Sequence, residues 1–403
     1  MKLLILSDFY PPIIGGGERH VESLSRALNR RRHQVCVCTI RSQGMPEYEQ
    51  SDGITIYRLE GLFQKIPRLF KDQERKWPPP VQDPLITAHL RQVLEETKPD
   101  IIHAHGRILY SGLALKKEFN IPIIFTLHSF ALLCPKTTLL KGEFICDKPF
   151  TRDCITCSKD FYGLPKSLFA YVGTRMGKSK IMLVDRFIAV SAFTKDVHVE
   201  YLGLSDKDIV VVPNFVDIYT PGQDKTVEHL PEDFILFVGA LIPAKGVDLL
   251  IQAFQKLRTK TSLVIIGTTH PDYHYRSAEN IYVIKDVSHH TVLTAMSKCR
   301  FAVFPSILPE TFALVSLEAM SQRKAVIASN IGGLKELVVN NETGILVPPN
   351  SLDSLSGAIS YLLGKPEEAS RMGEMGHSIF LENYTPNTVI PKLMEVYESM
   401  IEG

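Results

Sequence analysis

The chain has 403 residues, 45% apolar and 22% charged, with a formal net charge of +1. That length exceeds what one core ordinarily organises and fits two domains of roughly 200 residues each. The near-neutral total excludes a chain-wide footprint for nucleic acid. The charge is uneven, however: residues 1–220 carry 30 Lys and Arg against 24 Asp and Glu, and the remainder 15 against 20. The first half therefore suits an anionic lipid or a phosphorylated acceptor, unless the imbalance is ordinary surface variation. Ser7 and Asp8 break the apolar opening Met1–Leu6 too early for a secretory signal. No run of ~18 apolar residues offers a membrane span, so the expectation is a cytoplasmic protein.

In chain order, Lys2–Ser7 reads as a buried strand, and His20–Asn29 as a helix with Val21, Leu24 and Leu28 on one face. Strands follow at Gln34–Ile40, Pro99–His103, Pro122–Leu127, Arg186–Val190 and Ile209–Val212, with Ser191 a helix cap after the fourth. Pro213–Pro231, with Gly222 and mixed charges, reads as a linker. The alternation then restarts: strand Phe234–Val238, helix Asp248–Leu257, strands Leu263–Ile266 and Ile281–Ile284, helix Thr291–Ser297, strand Phe301–Phe304, helix Ser316–Ser321, strand Ala325–Ala328. Strand–helix alternation predicts α/β domains built on parallel sheets with helices on both faces. The expected division is 1–217 and 218–385, with the last helical run, ~386–403, folding back over the first domain.

Three loops carry candidate chemistry. Gly15-Gly16-Gly17 follows the first strand and opens a helix; glycine admits a phosphate close to the backbone, and a helix start offers free N–H groups. The spacing is not the dinucleotide fingerprint, and a tight turn also uses glycine. Gly239–Gly246 follows the first strand of the second half, at the usual ligand edge of such sheets. Lys245 there presents a point charge to a diphosphate. Pro309-Glu310-Thr311-Phe312-Ala313-Leu314 precedes the helix carrying Glu318. Glu310 can accept hydrogen bonds from sugar hydroxyls, and a buried Glu318 needs a partner such as a ribose diol, since lone buried carboxylates are costly. The bland readings are a solvated lysine and an exposed helical glutamate.

Glu310 and Glu318 reproduce the E-x7-E pattern, and the chain resembles the retaining family 4 glycosyltransferases, the glycogen-synthase-like group of GT-B fold. The resemblance extends in order through Gly15-Gly16-Gly17-Glu18, Pro99–His105, Thr126-Leu127-His128, Val212–Asp217, Lys245-Gly246, Gly332–Glu336 and Gly344–Pro348. It implies two Rossmann-like domains facing across a cleft, an acceptor-side first domain and a nucleotide-sugar-binding second one. It also implies transfer of a hexose-type sugar from a UDP- or GDP-sugar to a glycan or lipid-linked acceptor. By this resemblance Gly16 and Gly17 lie near the donor diphosphate and His128 near the transferred sugar. Lys245 binds the diphosphate, Glu310 the sugar hydroxyls and Glu318 the ribose. The amides of Phe312, Ala313 and Leu314 meet the donor, and Val287 the base. The leaving phosphate serves as base, with helix-end amides and positive charge stabilising it, so no protein nucleophile and no catalytic metal are expected.

The chain departs from the family where Ala240 stands for the usual Arg, Ser129 for the Asp often following this His, and Ala313 for a Gly. The missing arginine keeps open a non-catalytic sugar-nucleotide binder or an acceptor-less hydrolase of the same fold. A nicotinamide-dependent oxidoreductase fits less well, because it gives E-x7-E no role and Gly-x-Gly-x-x-Gly is missing.

Of seven cysteines, Cys36 and Cys38 alternate along a strand and Cys299 sits alone, while Cys134, Cys146, Cys154 and Cys157 cluster in a Pro- and Gly-containing loop. The spacing fits a structural zinc site, with disulfides, an iron–sulfur cluster or free thiols as alternatives. His103 and His105, two apart at a strand end, read as packing or polar-cleft residues rather than metal ligands. Lys166–Met182 has four basic residues, no acidic one, and Leu168, Phe169, Tyr171 and Val172. That composition suits a peripheral contact with the inner face of an anionic membrane, as does the basic, aromatic stretch Leu62–Trp77. A solvated helix is the alternative.

Overall fold

The computed structural model describes residues 1–13, 15–66, 69–70, 75–142, 144–219, 229–268 and 279–402. The linker expected at 213–231 and the stretch 62–77 lie partly outside these residues. The chain forms two compact units, Met1–Pro213 with the C-terminal stretch from Val389, and Asn214–Thr388.

The first unit runs β1 (Lys2–Ser7), α1 (Gly16–Arg30), β2 (Gln34–Ile40), β3 (Tyr48–Ser51), β4 (Ile54–Leu59), α2 (Pro84–Thr97), β5 (Ile101–Ala104), α3 (Leu109–Phe119), β6 (Ile123–Leu127), β7 (Leu140–Lys141), β8 (Phe144–Ile145), α4 (Asp153–Tyr162), α5 (Leu164–Ile181), β9 (Arg186–Ala189), α6 (Ala192–Leu202) and β10 (Ile209–Val211). Its sheet has the order β10-β9-β6-β5-β1-β2-β4-β3 and is parallel except for the β3–β4 hairpin at one edge. That hairpin was not expected from the sequence: Tyr48-Glu49-Gln50-Ser51 has no apolar face and is held by pairing with β4. Local signals set the helix starts. Asp83 accepts from the N–H groups of Leu85 and Ile86 with Pro84 in the first turn, and Ser191 accepts from Thr194 N at 3.1 Å.

The second unit runs β11 (Phe234–Val238), α7 (Val247–Gln255), β12 (Ser262–Ile266), β13 (Ile281–Ile284), α8 (His289–Lys298), β14 (Ala302–Phe304), α9 (Leu314–Ser321), β15 (Val326–Ser329), α10 (Leu334–Leu337), β16 (Gly344–Val347), α11 (Leu352–Gly364) and α12 (Pro366–Asn383). Its parallel sheet has the order β13-β12-β11-β14-β15-β16, with an apolar core on each face. The last helix, α13 (Pro386–Ile401), packs with the first unit from Val389 on and buries Val389, Ile390, Leu393 and Tyr397.

Both sheets are doubly wound. In each, the chain reverses direction beside its own first strand: between β1 and β5 in one, between β11 and β14 in the other. The carboxyl ends of those strands form the crevice where open α/β sheets bind ligands.

Candidate active site

The switch point of the second unit gathers most of the expected donor residues. The loop after β11 meets the loop after β14 through Ile307 N, which donates to Ala244 O at 2.9 Å. Gly246 makes this approach feasible. Its φ is +70°, and a Cβ there would fall 2.0 Å from Pro305 O. Lys245 thereby meets Glu310, Nζ to Oε2 at 2.5 Å, and Ser306 Oγ donates to the other carboxylate oxygen. From behind, Gly333 N donates to Glu310 O at 2.7 Å. Phe312 and Ala313 then lead into α9 at Leu314, where no side chain caps the first turn. The end that is positive by its dipole thus lies beside Lys245 and Glu310. Glu318, on α9, is 4% exposed and stands 3.3 Å from His289 Nε2. His289 opens α8 two residues after Val287, which is half-buried against the core. The eight-residue step from Glu310 to Glu318 thus places one carboxylate before the helix and one within it, the first beside Lys245 and the second beside His289.

In the first unit, Asp8 follows β1 and accepts from Arg107 N at 2.9 Å and Ile108 N at 2.8 Å beyond β5. Burial pushes its carboxyl up to about 6, against the lowering effect of these two amides. Gly16 and Gly17 open α1. Glu18 and Arg75 crowd the preceding Gly15, where an added Cβ would lie 2.3 Å from Glu18 Oε2 and 3.3 Å from Arg75 Nη2.

His128, after β6, joins a set of four histidines. His128 Nε2 is 2.9 Å from His105 Nδ1, and the His20 ring lies 5.2 Å from that of His128. His103 bonds Tyr397 through Nδ1 and Thr126 through Nε2, each at 2.7 Å. Burial lowers His103 to about 3 and His128 to about 4, and holds His20 and His105 well below the usual imidazole value; for all but His128, neighbouring histidines add to the lowering. The set is therefore uncharged at neutral pH. Each imidazole has one donor and one acceptor, so the tautomer of His105 dictates which nitrogen of His128 carries its proton.

Sequence reading singled out His103, His105 and His128 but missed Asp8, His20, Ser306, His289 and Tyr397. Asp8 and Ser306 had a signal, since each lies just past a strand that flanks a switch point. Tyr397, 294 residues from His103, had none.

Cys134, Cys146, Cys154 and Cys157 line one cavity in the first unit, all as free thiols. As they stand, no three of them, nor any other three His, Cys, Asp or Glu among the described residues, are grouped so as to hold a metal ion. The basic run expected at 166–182 is helical through Ile181, within α5. Leu164, Leu168, Phe169, Val172 and Met176 are exposed, and Phe169 lies against Phe63 with ring centroids 5.9 Å apart. No helix among the described residues is long and apolar enough to cross a membrane.

Comparison with known proteins agrees with this geometry. The family described as Glycosyltransferase Family 4 matches residues 14–219, and Glycosyl transferases group 1 matches residues 223–378. An uncharacterized glycosyltransferase of Methanocaldococcus jannaschii is 28% identical over 99% of both chains. Among solved structures, sucrose-phosphate synthase from Thermosynechococcus elongatus superposes with a TM-score of 0.76 at 19% identity, covering 100% of both chains. The catalytic domain of starch synthase IV from Arabidopsis thaliana, bound to ADP and acarbose, gives 0.72 at 15% identity, covering 100% of this chain and 99% of that one. These likenesses give the fold as GT-B, and the sequence match spans both units: the chain belongs to the family 4 glycosyltransferases.

Proposed function

We propose that the protein is a retaining hexosyltransferase that uses a nucleoside-diphosphate sugar and binds it in the second unit. The observation that carries this reading is the convergence of Lys245, Glu310 and the uncapped start of α9 at one switch point. A diphosphate arriving there takes Lys245 and the amides of Phe312, Ala313 and Leu314. Glu310, released from the lysine, accepts from sugar hydroxyls, and Glu318 accepts from the ribose diol. As the glycosidic bond breaks, charge develops on the departing diphosphate, where the lysine and the amides already point. A diphosphate oxygen takes the proton of the acceptor hydroxyl as that hydroxyl attacks from the same face, so configuration is kept. Within the first unit, His128 and the glycine turn at Gly16 and Gly17 keep the roles that the family resemblance implies.

The acceptor side belongs to the first unit. The exposed apolar residues of α5, on a helix with four basic residues and no acidic one, support a glycan or lipid-linked acceptor met at an anionic membrane surface. Flotation with vesicles containing anionic lipid checks this; protein left in the soluble fraction at low salt rules it out. The donor is checked by thermal shift against UDP-, GDP- and ADP-sugars, followed by the anomeric configuration of the product. A midpoint raised by one donor and lost in Glu310→Ala supports the reading, whereas an inverted product overturns the retaining step.

Ala240 favours a second reading, a sugar-nucleotide binder or hydrolase of the same fold. An arginine there adds a charge-assisted phosphate contact of about 1.5–3 kcal/mol. If transfer appears only in Ala240→Arg, the natural chain is the binder.

A further inference from the structure

The segment between β6 and α5 holds four cysteines that the reaction does not use. Cys134 closes a turn after β6, its N–H donating to Phe130 O at 2.9 Å. Cys146 follows β8, its N–H donating to Leu139 O at 2.8 Å. Cys154 and Cys157 stand three residues apart on α4, on one face of the helix. Three separate stretches thus bring all four side chains to the wall of a single cavity. Between Cys134 and α4 the segment has little regular structure of its own. Its strands β7 and β8 have two residues each, Phe144 and Ile145 are exposed, and Thr137, Leu139 and Phe150 occupy positive φ, which is costly for residues with a Cβ.

We infer that Cys134, Cys146, Cys154 and Cys157 are the ligands of one structural zinc ion that staples this segment. In the present arrangement no three of them are grouped to hold an ion, so the proposed site is one that the ion itself draws closed. The local charge suits a thiolate centre. Four thiols lose four protons to solvent and bind one Zn2+ as thiolates, with no redox change, which leaves a complex of charge −2. Lys136, Lys141 and Lys148 line the same cavity, and its carboxylate, Asp153, is bonded to Lys141.

The test uses the full chain, purified in reductant, stripped with chelator and titrated with Zn2+ or Co2+. One ion per chain is expected. Cobalt should show sulfur-to-metal charge transfer in the near ultraviolet and the intense visible bands of a tetrahedral site. Zinc should release about four protons near neutral pH and raise the thermal midpoint. Cys154→Ser with Cys157→Ser should lose the cobalt spectrum. As a control that does not depend on the variant's folding, the wild-type chain is also denatured without reductant and its thiols counted; all seven cysteines should react once a chelator is present. No uptake at micromolar free zinc, cobalt without sulfur charge transfer, or fewer than seven thiols, which reports disulfides, would each overturn the proposal.

Discussion

Lys245 and Glu310 are 65 residues apart, yet Nζ stands 2.5 Å from Oε2, because one follows β11 and the other follows β14, the two strands that flank the switch point. In the proposed donor-binding role an anion takes Lys245 from Glu310, which would make the pair an exchangeable contact rather than a fixed brace. Both side chains are partly exposed, and the contact itself contributes little to stability. Lys245→Ala and Glu310→Gln should therefore leave the thermal midpoint of the free protein within about 2 °C and lower kcat/KM by ~10²–10³. A variant that unfolds several degrees earlier with unchanged turnover would make the pair structural.

Gly332 supports the Glu310 loop from behind. Its φ is +58°, and an added Cβ would lie 2.6 Å from Glu310 O and 2.8 Å from Glu310 N. Both atoms are backbone and cannot turn aside. Gly332→Ala is expected to cost ~2 kcal/mol or more and to abolish the donor-induced shift, since it displaces the carboxylate. Gly357, inside α11, meets nothing within 4 Å, and Gly357→Ala should stabilise by ~0.5–1 kcal/mol. Thermal melts of the two variants, with and without donor, check both outcomes.

Sequence period and punctuation made both α/β units legible, because buried parallel strands such as Phe234–Val238 read as unbroken apolar runs. They also located the Glu310 and Lys245 loops, since those follow such strands. The contacts between distant positions were not legible. Nothing local in Tyr397 marks it as the partner of His103, and the cap at Asp83 was passed over because the stretch before α2 lacks periodicity. The hairpin partner β3 was missed for a related reason: a polar edge strand pairs through its backbone, which leaves no side-chain pattern.

Tyr397 is fully buried, and its hydroxyl is bonded to His103 Nδ1 at 2.7 Å. Phenylalanine would fill the same space but leave a buried ring nitrogen without its partner. Tyr397→Phe is expected to destabilise the protein by ~1–3 kcal/mol. The loss should appear with and without donor, because this bond joins α13 to β5 within one unit. His103→Asn in the same background should add less than the sum of the single losses, which a double-mutant cycle measures directly.

The histidine set makes stability depend on pH. His103 and His128 titrate near 3 and 4 in the folded chain but near 6.5 when unfolded. Between those values the unfolded chain binds protons that the folded chain refuses, so stability is full above about pH 6.5 and falls as the pH drops toward 4. Asp8 acts in the opposite sense. Its carboxyl, near 6 in the fold against about 3.9 unfolded, gains its proton first in the folded chain and adds stability over part of the same window. The imidazoles outweigh it, because His20 and His105 are lowered in the same direction. At pH 5 His128 alone costs about 2 kcal/mol relative to pH 7.5. Denaturant midpoints at the two pH values should differ accordingly. His128→Gln should shrink the difference and Asp8→Asn should enlarge it. A midpoint that does not move between pH 7.5 and 5, in the wild type and both variants, would mean that the imidazoles take up protons in the fold as readily as in the unfolded chain.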